Sequence, residues 1–210
     1  GMAVRAAVEL REVLAEVGLR GFCKTSGGRG VHVFAPVEPC DFIDARHAAI
    51  AVGRELARRL PAEVTVNWWK EERGERVFVD FNQMARDRLM TSAYSIRPTP
   101  LGRVSAPLTW EELPDCDPAD FTVVTMPVRF AQQGDLWQAL EECTPGSPEA
   151  ALAWYQRDAA RGEAVRKDVA PGEIQHRRIA VDQPDLRVRP GLRRAQAYRA
   201  DAAPEIDDLS

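Results

Sequence analysis

Hydrophobic positions change their spacing several times along the first sixty residues. Val4, Ala7, Val8, Leu14 and Val17 recur every three or four residues, which predicts an amphipathic helix over 3–17 ended by Gly18. Leu19 to Lys24 and Val31 to Ala35 are short apolar, β-branched runs and read as strands on either side of a glycine-rich loop. Pro36 closes the second run, and Pro39, Asp41 and Asp44 mark a loop with a candidate N-cap. A second amphipathic helix runs from about 45 to 60, with Ile50, Leu56 and Leu60 on one face and Pro61 after it.

Further along, Val64 to Lys70 and Arg76 to Phe81 flank a charged turn and read as an antiparallel hairpin. Thr91 to Arg97 is extended, and Val104 to Ala106 is a brief strand. Thr109 and Glu112 have the spacing of a capping box that opens a short helix. Phe121 to Val124 is a β-branched run. Thr125 then caps a helix with Pro127 in its first turn and Val128 and Phe130 turned inward. Leu136 to Cys143 is a last helix of the body, and Thr144 to Pro148 reads as a linker. The expected fold is α+β, a small, mostly antiparallel sheet flanked by helices, over 3–143. Residues 144–149 join it to an irregular, Arg-rich extension over 150–210. Residues 150–162 suit a helix, 171–190 have room for a strand or two, and the last ten residues read as frayed.

Charge sharpens this division. Residues 1–152 hold 17 basic and 22 acidic side chains, whereas 153–199 hold 11 and 6. The body is therefore not a general polyanion binder, and any phosphate site in it must be local. Four scattered cysteines without a C-x-x-C pair, and only three histidines, argue against a structural zinc site. No apolar run approaches the ~20 residues of a membrane span, and no secretory leader is evident. The expectation is a cytoplasmic protein without a membrane partner.

The densest chemistry lies in Lys24-Thr25-Ser26-Gly27-Gly28-Arg29-Gly30-Val31-His32. Glycines at 27, 28 and 30 permit positive φ, and successive N–H groups in such a turn can form an anion-binding concavity. Arg29 adds a planar cation. From the glycines alone, a plain hairpin turn with a surface arginine is the favoured reading. The stretch matches neither G-x-x-x-x-G-K-[ST] nor G-x-G-x-x-G. Strand alternation sets His32 and Phe34 on one face, and Phe78 and Asp80 on one face of the later strand. A carboxylate inside such a strand is costly unless it is paired, holds a metal, or caps the strand end. Asp80 beside a divalent cation, with His32 and Arg29 on phosphate oxygens, would satisfy that cost. Gln83 and Arg97 are further candidate phosphate contacts.

The ordered set TSGGRGVH, VFVDFNQ, AYSIR and VSAPLTWEEL resembles the polymerase domain of bacterial DNA ligase D, of the archaeo-eukaryotic primase superfamily. The resemblance covers about 3–142. It implies the RRM-like catalytic half of a primase-polymerase, acting in non-homologous end joining with Mn²⁺ or Mg²⁺. Ser26 and His32 would contact the incoming nucleotide's phosphates, and Arg29 would stand where the family usually has lysine. Asp80 would be a metal-binding carboxylate, and Gln83 and Arg97 would hold the triphosphate. The implied partners are a nucleoside triphosphate, DNA ends and a ligase- or Ku-type end-joining protein, with the nucleoid as the place of action. The family's Asp-x-Asp pair precedes the segment matching 3–17, and residues 1–10 hold no such pair. The expectation is an isolated chain that is inactive, or active only with a missing N-terminal half. A non-catalytic module binding nucleotides or DNA ends is the alternative. In a further alternative, a partner chain supplies the absent strands by edge pairing.

Overall fold

The computed structural model describes residues 1–81, 90–162 and 179–182. Helix α1 (Met2–Glu16) buries Ala3, Ala6, Ala7, Leu10, Val13 and Leu14. This stripe is rotated slightly from the expected one, and Val8 stays exposed. Gly18 takes φ +73°, and Leu19 N–H reaches back to Leu14 O at 2.9 Å, so the helix closes with a left-handed glycine as its sequence predicts. Strands β1 (Phe22–Thr25) and β2 (Val31–Phe34) form an antiparallel pair across the glycine loop. Helix α2 (Phe42–Arg59) follows. Arg59 ties it to α1 through Glu9 at 3.2 Å and Glu16 at 2.6 Å.

Next come β3 (Val64–Thr65), β4 (Val77–Asp80), β5 (Pro107–Leu108) and β6 (Ile179–Asp182). They complete a six-stranded sheet in the order β3-β4-β6-β2-β1-β5. All pairings are antiparallel except β3 with β4. The expected α+β class, with a mostly antiparallel sheet, is therefore present.

The expected 64–81 hairpin is a correction: β3 and β4 run parallel, with Val64 opposite Val77 and Thr65 opposite Phe78. Only two residues of VTVNWWK remain strand. The rest turns away, through a 3₁₀ turn at Lys70–Glu72. Arg73 and Arg76 donate to the carbonyls of Asn67, Trp68, Glu72 and Arg73, satisfying groups that a hairpin would have paired. Residue periodicity does not distinguish parallel from antiparallel neighbours.

One face of the sheet presents Val31, Val33, Val77 and Val79 to α1 and α2, and this is the main core. Four further expectations change. The Thr109–Glu112 box forms, with reciprocal bonds of 2.9 and 3.2 Å, but opens only a 3₁₀ turn at Leu113–Asp115. Thr122 makes a single bridge to Arg103 in place of a strand. Helix α3 (Met126–Gln133) buries Met126, while Val128 and Phe130 are 59% and 45% exposed rather than inward. The last helix of the body shrinks to α4 (Gln138–Glu141).

The segment after Thr144 is closely bound to the body. Gly146 N–H bonds Pro36 O at 3.1 Å, and a Cβ at Gly146 would sit 2.8 Å from Gly18 O. Helix α5 (Glu149–Ala160) packs on α2, where His47 stacks on Tyr155 at 4.0 Å. Asp158 of α5 is fully buried and pairs with Arg58 at 3.3 Å and Arg157 at 3.1 Å.

Candidate functional site

Opposite the helical layer lies the face that carries the polar residues of the strands. Val31 and Val79 face one another across Val181, and His32 and Asp80 across Ala180. His32 and Asp80 therefore lie in one row, two strand spacings or about 10 Å apart. The same register sets the glycine loop and Phe78 at one end of the sheet. The sequence reading that joined His32 and Asp80 on one face agrees with this register, with β6 between them.

The glycine loop is built differently from the expected nest. Gly27 alone of its three glycines has positive φ, at +69°. Ser26 Oγ accepts the N–H groups of Gly28 and Gly30, both at 3.1 Å, and Ser26 N–H bonds Gly30 O at 2.9 Å. Those N–H groups close the loop on itself and do not point to a ligand. The Ser26 hydroxyl, with its lone pairs so engaged, has its hydrogen left to offer. Arg97 lies across the loop, since a Cβ on Gly27 would collide with Arg97 Cγ. Arg97 N–H bonds Arg103 O at 2.7 Å and its guanidinium donates to Thr91 Oγ1 at 2.6 Å, so this cation is held over Gly27. Arg29 is exposed at the tip.

Beneath the loop is a residue that the sequence reading passed over. Lys24 is paired with His32 in register and is 0% exposed. Its ammonium lies 3.1 Å from His32 Nδ1, bonds Ser105 Oγ, and sits 5.5 Å from the Phe34 ring centre. Ser105 passes its own hydrogen to Thr25 O at 2.7 Å. An ammonium is a donor only, so Nδ1 of His32 must accept. Burial, then the charges of Lys24 and Arg97, push the imidazole pKa down to about 3. His32 is thus neutral at physiological pH, with its proton on Nε2. A neutral N–H donor, a hydroxyl donor and an arginine are brought together around one loop. Together they suit oxygen atoms of an anion such as phosphate.

Gln83 lies outside the described residues. Among the described residues no three His, Cys, Asp or Glu side chains cluster so as to hold a metal ion. Two-cation phosphoryl transfer needs several carboxylates. The described residues do not make up such a site around Asp80, and no chemical step is assigned to a metal.

Lys24 had one signal in the sequence: it is a cation inside an apolar strand, in phase with His32 across the hairpin. Ser105, 81 residues from Lys24, had none.

Residues 1–137 match the family described as LigD, primase-polymerase domain. The chain belongs to that family. It is 33% identical over 153 residues to the multifunctional non-homologous end joining DNA repair protein LigD of Mycobacterium tuberculosis H37Rv, covering 72% of this chain and 20% of that protein. The bifunctional LigD of Bacillus subtilis 168 is 31% identical over 136 residues, 63% of this chain and 22% of that protein. The solved polymerase domain of Mycobacterium tuberculosis Ligase D in complex with DNA superposes with a TM-score of 0.61 at 36% identity. That match covers 69% of this chain and 51% of the other. The chain thus spans about a fifth of the length of these curated relatives and half of the solved domain.

Proposed function

We propose that this chain is the nucleotide-holding part of an end-joining polymerase. It would bind a nucleoside triphosphate on the sheet face between the glycine loop and Asp80. The observation that carries this reading is His32, kept neutral and held by Lys24, with Arg97 over Gly27 beside it. Ser26, Arg29, His32 and Arg97 would engage phosphate oxygens, Gly27 and Gly28 would shape the loop, and Gln83 would join them. Asp80 would face the divalent cation, Mn²⁺ or Mg²⁺, that accompanies the triphosphate. The parent reaction is template-directed addition of nucleotides to DNA ends, in which a 3′-hydroxyl attacks the α-phosphate and pyrophosphate leaves. DNA ends and the end-joining ligase machinery are the corresponding partners, with the cytoplasm and nucleoid as location. The working unit would be the body, residues 3–143, together with β6, the strand between β4 and β2.

A second reading keeps the binding and drops the chemistry. The lack of a three-ligand acidic cluster among the described residues favours a non-catalytic module for nucleotides or DNA ends.

Thermal unfolding with and without triphosphate tests nucleotide binding, and the same measurement with and without duplex DNA ends tests end binding. A ligand at ~100 times its Kd stabilises by about 2.7 kcal/mol, a rise of roughly 5–10 °C for a chain of this size. His32→Ala and Arg97→Ala should each remove most of it. No rise with triphosphate would sink the first reading, and no rise with either triphosphate or DNA ends would sink both. Primer extension with Mn²⁺ then bears on the chemistry: extension by the unmodified chain that is lost in Asp80→Asn supports the polymerase and overturns the module.

A further inference from the structure

The connection between β3 and β4 exposes two adjacent tryptophans, Trp68 at 46% and Trp69 at 61%. Adjacent exposed aromatic rings form a contiguous apolar patch of the kind that marks an interaction site. The loop that carries them is not loose. Arg73 donates to Asn67 O at 3.0 Å and Trp68 O at 2.5 Å, and its guanidinium lies 3.5 Å from the Phe78 ring centre. Arg76 braces the same turn through Arg73 O at 3.1 Å and Glu72 O at 2.9 Å. Trp68 packs edge-on to Phe78 at 6.2 Å, and Asn67 N–H bonds Thr65 Oγ1 at 3.1 Å. Both arginines are therefore occupied in presenting the rings at a defined place.

That place adjoins the nucleotide face. Phe78 is on the same strand face as Asp80, two residues earlier. The register sets it at the end of the sheet that also carries the glycine loop. The loop from Lys70 to Arg76 has three basic and three acidic residues. With no net charge, and with Glu71, Glu72 and Glu75 beside the rings, it is unsuited to gripping a phosphate backbone. Flat aromatic surface without net charge suits the faces of unpaired bases, which stack on such rings whatever their sequence.

We propose that Trp68 and Trp69 form a stacking platform for unpaired bases of a DNA overhang, beside the nucleotide face. This rests on the polymerase or end-binding reading above. The overhang would run along the β3–β4 edge, its bases on the tryptophans and its phosphates away from the loop carboxylates.

The test uses the full chain and fluorescently labelled duplexes, one with a 3′ thymidine overhang and one blunt, read by anisotropy. The pair Trp68→Ala with Trp69→Ala should weaken overhang binding by about tenfold or more. The pair Trp68→Phe with Trp69→Phe keeps aromatic faces and should recover most of it. Blunt-duplex affinity and the triphosphate-induced rise in Tm should not change in either. The factor lost should be the same at low and at physiological salt, because no phosphate contact is removed. Unchanged overhang affinity in the alanine pair overturns the platform and leaves the rings to a protein partner. Loss of the triphosphate response in the alanine pair also overturns it, because the rings would then be part of the nucleotide site. If the unmodified protein responds to triphosphate but does not prefer the overhang, the platform is wrong and the nucleotide reading stands. If it responds to neither triphosphate nor DNA ends, that underlying reading fails and the platform with it.

Discussion

Lys24 Nζ lies 3.1 Å from Nδ1 of His32, with the lysine shut off from solvent and the histidine half-buried on the polar face of the sheet. A buried ammonium next to an imidazole does two things. It opposes protonation of the ring, and it fixes which nitrogen carries the one remaining hydrogen. A phosphate oxygen arriving at His32 would meet Nε2–H.

Lys24→Met tests this arrangement. Removing the ammonium should raise the His32 pKa, although burial, the larger cause, still holds it below the usual range. The ring should then populate both neutral tautomers, visible in its ¹⁵N shifts. Triphosphate affinity should fall by about tenfold, the worth of one well-aimed hydrogen bond to a charged group. Stability should change little, because an apolar side chain replaces a buried charge and Ser105 keeps its bond to Thr25 O. A large loss of stability with unchanged affinity would make Lys24 a purely structural residue.

His32 should also set part of the acid sensitivity. Its folded pKa is about 3, below the ~6.5 of an unfolded chain. Between those values the unfolded state binds the extra proton, so stability falls as pH drops. The slope is up to about 1.4 kcal/mol per pH unit. Urea unfolding at several pH values should show a shallower decline in His32→Asn than in the unmodified protein. Triphosphate binding should be flat from pH 6 to about pH 8. A steep loss above pH 6.5 would mean that the ring binds as a cation.

The glycine loop makes a paired prediction. Gly27→Ala places a Cβ at φ +69° and against Arg97. It should cost about 1–2 kcal/mol and weaken triphosphate binding by displacing the guanidinium. At Gly28 the nearest atom to an added Cβ is Ser26 Oγ at 3.3 Å, and φ is not positive. Gly28→Ala should be much milder in both measurements. Equal effects at the two positions would contradict the loop geometry.

Asp158 joins α5 to α2. It is fully buried among Arg54, Arg58 and Arg157. Asp158→Ala leaves those cations facing one another and should cost about 3–5 kcal/mol, or a fall in Tm of roughly 6–20 °C. The triphosphate response should survive below the new Tm, since α5 lies on the helical layer. A fall of only a degree or two would mean that α5 is dispensable to the body.

The alternation of residues along the chain determined much of this protein. It located α1, α2 and the β1–β2 hairpin, and it set Val31, Val33, Val77 and Val79 against the face of His32 and Asp80. These are local consequences of a 3.6-residue turn and a two-residue pleat. The ordered motifs determined the family. Tertiary structure alone decided which strands are neighbours. It made β3 and β4 parallel, with the turn between them satisfying its carbonyls through Arg73 and Arg76. It turned the N–H groups of Gly28 and Gly30 inward to Ser26, left Val128 and Phe130 in water, and brought Ser105 to Lys24 from 81 residues away. The strand order and the Lys24–Ser105 bond depend on partners distant in sequence, and the bonds within the loop and turn depend on a backbone path that residue spacing does not specify.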